Sequence, residues 1–415
     1  MRVLLIGGGA REHALAWKLA QSEKLTKLYA APGNPGIAEI AECVDIGATD
    51  IDRLVDFAVD ENIEFVVVGP EDPLCMGIVD RLNDKGIKAF GPHKKAARLE
   101  GSKAYSKEFM LRHDIPTAKY GRFDDVAKAV AALPGFGLPV VIKADGLAAG
   151  KGVIIAQTAN EAVEAIKDML VGNSFGEAGS IVVIEEFLTG IEASELCFVD
   201  GNTIVSLESA QDYKRAYDGD LGLNTGGMGT YSPSRLYTDE IKKTINDKVL
   251  QPFIKGLQAD GLEYQGLVFI GLILKDGQPK VFEFNTRFGD PETQSLMVRL
   301  ENDLLDVMLK TVAQQLNQVN LTWSDEAAVT LVMAAGGYPE AYKKGDEITG
   351  LKEVKNAVVF HAGTKEVDGR IVTNGGRVLS VVAKGDTIEA ARTLVYEEMK
   401  HIKFKDMMYR TDIAK

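Results

Sequence analysis

The chain has 415 residues, 46% apolar and 26% charged, with a formal net charge of −13. That length calls for several globular domains, and the acid excess argues against a nucleic-acid partner or an anionic membrane surface. The three cysteines, Cys43, Cys75 and Cys197, are too dispersed for a metal-ligand motif and read as reduced thiols. No apolar run reaches membrane length and no basic-then-apolar leader opens the sequence, so a cytoplasmic protein without membrane contact is expected.

Residues 1–101 alternate short apolar runs (3–6, 27–30, 65–68 and 87–90) with helical spacing at 12–21 and 51–62, which predicts a doubly wound domain on a parallel sheet. From Ser102 a helix carries Lys103 and Lys107 and ends before Pro116. Residues 102–324 form the central domain. Within it a smaller lobe (about 118–190) reads as helix, strand 140–143, glycine-rich loop, strand 153–155, helix and strand 181–184. A larger lobe (about 191–324) holds antiparallel strands, one long helix from Thr238 and a hairpin at 267–284 turning on Asp276-Gly277. Residues 325–415 read as a β-rich cap with a C-terminal helix over 387–402. The class is thus α/β and α+β multidomain. No linker-like tract separates the units, so they are expected to pack closely.

Gly7-Gly8-Gly9-Ala10-Arg11-Glu12 joins the first strand to the first helix. A dinucleotide fingerprint would place glycine or alanine where Glu12 stands, and the second strand ends without an acid for a ribose hydroxyl, so NAD is not expected. Backbone N–H groups at a helix start suit a phosphate monoester, which makes Gly9 and Arg11 candidates, with Asn34 and Gly36 from the loop Ala31-Pro32-Gly33-Asn34-Pro35-Gly36. The competing reading is that these glycines only permit tight turns.

Lys143 to Gly152 joins two strands, whereas a Walker loop opens a helix. A strand–loop–strand of this kind suits a flap over triphosphate, with Gly150, Lys151 and Gly152 in the loop and Lys143 on an apolar strand. Lys103 is a second candidate cation, or a solvated surface charge. The strand end at Glu185, Glu186, Phe187 and Leu188 could read an adenine edge, and Glu192 could reach ribose hydroxyls; alone, the two acids would equally suit an exposed edge. Glu283 and Asn285 stand two apart on a strand and so share a face, with Arg287 and a Gly289-Asp290-Pro291 turn following. Two oxygen ligands beside a guanidinium suit Mg2+ held against phosphate and a small carboxylate.

In this order the motifs resemble the ATP-grasp superfamily and, more narrowly, the phosphoribosylamine–glycine ligase family. The resemblance covers essentially the whole chain: residues 7–13, 32–36, 143–152, Asn224-Thr225-Gly226-Gly227-Met228-Gly229 and, most specifically, Arg287-Phe288-Gly289-Asp290-Pro291-Glu292. It implies a two-lobed ATP-grasp core between the N-terminal domain and the cap. ATP would be a co-substrate whose phosphates meet Lys103 and Lys143 and whose adenosine meets 185–188 and Glu192. Mg2+ or Mn2+ would sit on Glu283 and Asn285. Arg287 would pair with the glycine carboxylate, and Asp290 with its ammonium or with the ribosyl amine; Asp290 also suits plain turn chemistry before Pro291. Asp212 and Lys214, with Thr225, Gly226 and Gly227, would meet 5-phosphoribosylamine, although an ordinary exposed loop fits Asp212 as well. Many ATP-grasp proteins carry a further metal-binding acid on the preceding strand, and 266–274 has none. A monomer is expected, with a weak dimer as the alternative. Other open readings are an ATP-grasp ligase for a different acid or amine, and a Rossmann-type nucleotide sensor.

Overall fold

The structure, a computed structural model, describes residues 1–147, 152–172 and 176–415. Near the N-terminus five parallel strands form one sheet in the order Glu42–Cys43, Lys27–Pro32, Arg2–Gly7, Phe65–Val68 and Lys88–Phe90. Every residue of Phe65–Val68 is buried, as expected for a parallel strand covered on both faces. Strand order reverses beside Arg2–Gly7. Loops leaving the carboxyl ends of its strands therefore gather at one edge, which brings Gly7–Gly9, Asn34 and Pro70 together.

The smaller lobe is an antiparallel sheet in the order Tyr120–Phe123, Val182–Glu186, Val140–Ala144 and Val153–Ala156. Helix Ala159–Leu170 buries Ala162, Ala165, Ile166 and Met169 against it. The edge strand Tyr120–Phe123 is not foreseen above: none of its side chains is fully buried, so it lacks the apolar signal. In the larger lobe the order is Ile204–Ser206, Ile191–Val199, Gly266–Lys275 and Gln278–Asn285. The last two form the expected hairpin, with Asp276 and Gly277 both at positive φ (52° and 72°), as a primed two-residue turn requires.

Two expectations change. The helix from Thr238 is not uniform: α-helix Asp239–Ile245 and α-helix Gln251–Ala259 are joined by a π-helical stretch, Asn246–Leu250. Pro252 lacks an N–H and would crowd the carbonyl one turn back, and a wider turn relieves both. The cap sheet also begins earlier than 325. Its order is Gln211–Asp212, Gly229–Ser232, Ala327–Ala334, Arg377–Gly385 and Val358–His361, so its first two strands come from the segment read as the larger lobe. Asp212 and the loop 225–227 thereby belong to the cap sheet's edge. One apolar core runs through Phe90, Phe198, Phe269, Phe288, Phe360 and Val382, and so joins all three regions.

Candidate active site

Glu283 and Asn285 lie half-buried on Gln278–Asn285, and Asn285 Nδ2 donates to Glu283 Oε1 at 3.1 Å, so the two share a face. Across the sheet Asn285 faces Phe269, and Glu283 faces Gly271, itself opposite Ser194. Glu192 lies on this face one step further along Ile191–Val199, opposite Ile273. The middle strand contributes no acid. Among the described residues no group of three or more His, Cys, Asp or Glu is arranged to hold a metal. A carboxylate beside an amide carbonyl nevertheless fits Mg2+, a hard cation that keeps water and phosphate oxygens as its remaining ligands.

The cations gather at the other side of this face. Lys103, first residue of helix Lys103–Arg112, donates to the Gly146 carbonyl at 2.9 Å. Ser102 caps that helix, and Asp145 accepts from the Ser102 hydroxyl (3.0 Å) and Ala104 N–H (2.6 Å), which ties the helix start to the loop after Val140–Ala144. Burial, with Lys143 nearby, lowers the Lys103 pKa. Lys143 is buried, as its apolar strand suggests; its Nζ donates to the Phe282 carbonyl (3.2 Å) and lies 2.8 Å from Glu185 Oε1. The other Glu185 oxygen is 2.8 Å from Lys107 Nζ. Burial pushes the Glu185 carboxyl up, but the two ammonium groups outweigh it and hold the pKa below the usual range. Glu185 therefore presents no exposed carboxylate to an adenine edge. Glu186 is half-buried, accepting from Lys119 N–H (3.0 Å) and Lys280 Nζ (2.9 Å), while Phe187 is exposed. The Gly152 carbonyl accepts from Ala144 N–H at 2.8 Å. Gly150 and Lys151 lie outside the described residues.

The turn after the metal strand is gripped from two other regions. Arg287 Nε lies 3.1 Å from Glu71 and 3.2 Å from Glu100, and its Nη1 donates to the Phe288 carbonyl at 3.1 Å. Glu100 also accepts from Thr286 N–H (2.6 Å) and hydroxyl (3.1 Å). Burial, opposed by Arg287 and reinforced by Glu71, raises Glu100 to about 7. Asp290 meets Arg377 at 2.9 Å and Gln294 Nε2 at 2.8 Å; burial pushes it up, and Arg377 and Arg11 bring it below its ordinary value. Arg377 also donates to the Gly226 carbonyl at 2.7 Å. The Thr225 hydroxyl accepts from Gly227 N–H at 3.0 Å and donates to the Lys214 carbonyl at 2.8 Å. Gly227, at φ +110°, abuts Pro291, so any side chain there would be strained.

Lys214 lies 2.7 Å from Asp212 and 3.9 Å from Glu192, with its ammonium over the Phe269 ring. Burial would lower its pKa, but Asp212, Glu292, Glu192 and Glu283 raise it well above the lysine range. Glu292 is buried, has no partner for Oε1, and is raised to about 7 by burial and then by Asp212. Asp212 therefore lies on no ordinary exposed loop: it is buried on strand Gln211–Asp212, in an acid-rich cluster beside strand Gln278–Asn285.

The N-terminal loops form a separate cavity of about 440 Å³, whose far wall, Gly363, Thr364 and Asn374, comes from the cap. Gly9 and Asn34 line it. Arg11 and Gly36 do not. Arg11 donates to the Phe288 carbonyl (3.1 Å) and pairs with Glu12 (2.6 Å), while Gly36 packs on His13 and His361. Glu12 accepts from Gly9 N–H at 2.7 Å, so a carboxylate takes one of the amides assigned above to phosphate. Asn34 Nδ2 spans the Gly8 (2.9 Å) and His361 (2.8 Å) carbonyls, which makes it a bridge to the cap. Sequence reasoning left Glu71, Glu100, Lys107, Thr364, Asn374 and Arg377 unassigned, since nothing in their own segments points at partners so distant. Glu292 had a signal, its place in the motif 287–292.

Comparison with known proteins gives three successive domain matches: the phosphoribosylglycinamide synthetase N domain at residues 1–100, its ATP-grasp (A) domain at 101–293 and its C domain at 328–415. The phosphoribosylamine–glycine ligase of Vibrio vulnificus is 51% identical over 419 residues, covering 100% of this chain and 98% of that protein. The enzyme of Haemophilus influenzae is also 51% identical with the same coverage. The crystal structure of the Thermotoga maritima phosphoribosylamine–glycine ligase superposes with a TM-score of 0.88 at 34% identity, covering 100% of both chains. The biotin carboxylase domain of Hydrogenobacter thermophilus 2-oxoglutarate carboxylase, solved with MgADP, shares the fold (TM-score 0.77, 19% identity, 98% of this chain and 91% of that one).

Proposed function

Since the chain belongs to the phosphoribosylamine–glycine ligase family, we infer that it joins glycine to 5-phosphoribosylamine in purine biosynthesis, with cleavage of ATP to ADP and phosphate. The observation that carries this reading is the full-length match to ligases of that name, across all three domains. In the reaction an oxygen of the glycine carboxylate takes the γ-phosphoryl group as ADP leaves. The ribosylamine nitrogen then attacks the acyl carbon of glycyl phosphate, phosphate departs with the C–O electron pair, and the amine proton passes to solvent.

Such phosphoryl transfer needs positioning and charge neutralisation more than an enzyme nucleophile. Lys103 and Lys143 supply positive charge for the ATP phosphates, and the backbone at Glu186–Leu188, with Glu192, meets adenosine. Glu283 and Asn285 would hold Mg2+ or Mn2+, which when bound neutralises phosphate charge. Arg287, oriented by Glu71 and Glu100, is the cation for the glycine carboxylate. Asp290 acts through Arg377 to fix the Gly226-Gly227 loop against the turn. Asp212 and Lys214, with Glu292, form the wall nearest the incoming amine. The cavity at Gly9 and Asn34 is the candidate for the ribose phosphate, with Thr364 and Asn374 as polar groups from the cap.

No helix among the described residues is long and apolar enough to cross a membrane. ADP release by the purified protein should require both glycine and freshly generated phosphoribosylamine. Turnover independent of glycine would overturn the assignment in favour of another carboxylate–amine ligase.

A further inference from the structure

Beneath the nucleotide face lies a buried network that the reaction as written leaves unused. The Lys107 side chain is 2% exposed, so it touches no ligand itself. It lies 2.8 Å from Glu185 Oε2 and donates to the Thr117 hydroxyl at 2.7 Å. That hydroxyl in turn donates to the Val281 carbonyl at 2.6 Å. On the other side of Glu185, Lys143 reaches Oε1 at 2.8 Å and the Phe282 carbonyl at 3.2 Å. The chain Val281–Thr117–Lys107–Glu185–Lys143–Phe282 thus leaves the metal strand, crosses into the smaller lobe and returns to the adjacent residue of the same strand. Val281 N–H also donates to the Pro116 carbonyl at 2.7 Å, so the segment before the smaller lobe is fastened to that strand by its backbone as well.

We propose that Lys107 is a positioning residue for nucleotide phosphate: held by Thr117, it neutralises Glu185 and so leaves the Lys143 ammonium free to act on phosphate. This rests on the assignment of Lys143 to the ATP phosphates. The reasoning is electrostatic. Lys107, Glu185 and Lys143 together carry one positive charge. Without Lys107, the Glu185 carboxylate is matched one-for-one by Lys143, which then offers phosphate almost no net charge and is drawn toward Glu185. Position and charge change in the same direction, so the sign of the effect is fixed. In this geometry Glu185 acts as the linker between two cations and not as an adenine ligand. Its burial also explains why a lysine is needed there, since a lone buried carboxylate beside a phosphate site would repel the ligand.

The test measures equilibrium binding of adenosine, AMP, ADP and ATP, with Mg2+, to the full-length wild-type chain and to Lys107→Met, Thr117→Val, Lys143→Met and the double variant Lys107→Met/Glu185→Gln. Lys107→Met should weaken ATP and ADP by about 10- to 100-fold, the scale of one charge-assisted contact, with adenosine changed by less than about 2-fold. The double variant should recover most of that loss, because Lys143 is again unmatched. Thr117→Val should shift the ATP-to-adenosine ratio in the same direction by a smaller factor. A structural role would weaken all four ligands by one common factor, and that result, or wild-type ATP binding in Lys107→Met, overturns the proposal. Should Lys107→Met fail to fold, an unchanged ATP-to-adenosine ratio in Thr117→Val overturns it instead. Wild-type ATP binding in Lys143→Met would sink the nucleotide assignment itself, whereas loss in Lys143→Met without loss in Lys107→Met sinks only the role of Lys107.

Discussion

Glu283 and Asn285 on the metal strand and Arg287 and Asp290 in the turn after it are neighbours in sequence, yet they are held in opposite ways. On the strand, the only side-chain hydrogen bond between the candidate ligands is internal, from Asn285 Nδ2 to Glu283. In the turn, both charges are already matched by other regions, Arg287 by Glu71 and Glu100 of the N-terminal domain and Asp290 by Arg377 of the cap. On the proposed assignment, the strand takes a ligand that completes its charge. The turn is built to stay in place whether or not a ligand is bound. Pre-organisation of that kind suits the role proposed for Arg287, a guanidinium fixed where a carboxylate is to be aligned, so that little ordering would remain when substrate arrives.

That contrast breaks most sharply at Glu283. Glu283→Gln keeps shape and hydrogen bonding while removing the charge, so ligation should fall by about 100-fold or more, with the melting temperature nearly unchanged. Wild-type turnover in this variant, measured as ADP release, would refute the metal assignment and leave the strand no more special than the turn. Asp290→Asn should behave differently. It leaves Arg377 without its carboxylate at a site where both side chains are about one-fifth exposed, so stability should drop by about 1–3 kcal/mol by denaturant titration, and the glycine KM should rise as the Gly226-Gly227 loop loosens. A variant of unaltered stability would show that the turn holds itself. Arg287→Lys should raise the glycine KM by about 10-fold and leave the nucleotide Kd close to wild type, because a lysine cannot reproduce a fork shared between two carboxylates and a carbonyl.

The same contrast separates what the sequence makes legible. Glu283, Asn285 and Lys143 are readable because strand periodicity is local: alternate residues share a face whatever the rest of the chain does. Parallel strands such as Phe65–Val68 are readable for the same reason, as uninterrupted apolar runs. The partners of the turn are not, since Glu71 lies 216 residues from Arg287, Glu100 186 from Thr286 and Arg377 87 from Asp290. No local pattern marks a carboxylate that will close on an arginine in another domain. Glu185 shows a subtler limit. Its strand is evident, but whether a strand-end acid faces an adenine or a pair of buried lysines depends on helix Lys103–Arg112 packing behind it. Two-residue strands such as Gln211–Asp212 carry too little pattern to be assigned, and the cap sheet's edge strand is hidden by that brevity.

A gentler probe of the turn is proton concentration, because the domains that grip it meet at two buried imidazoles. His13 Nδ1 accepts the His361 N–H at 2.8 Å, in the helix that carries Arg11 and on the strand beside the one that begins with Arg377. Burial, and for His13 the neighbouring His361, lowers their pKa values to about 3 and about 4. Unfolded histidines take up protons near pH 6.5. Between about pH 6.5 and 4 the unfolded chain therefore binds more protons than the folded one, and stability falls as pH falls, by up to about 1.4 kcal/mol per pH unit for each imidazole. Their contribution is complete above about pH 6.5 and progressively lost below it. His13→Asn keeps a hydrogen-bond acceptor but cannot titrate, so its stability between pH 6 and 4, followed by denaturant melts at fixed ionic strength, should decline less steeply than wild type by about one proton's worth. Parallel slopes in wild type and His13→Asn would show that His13 is not held neutral at the domain junction.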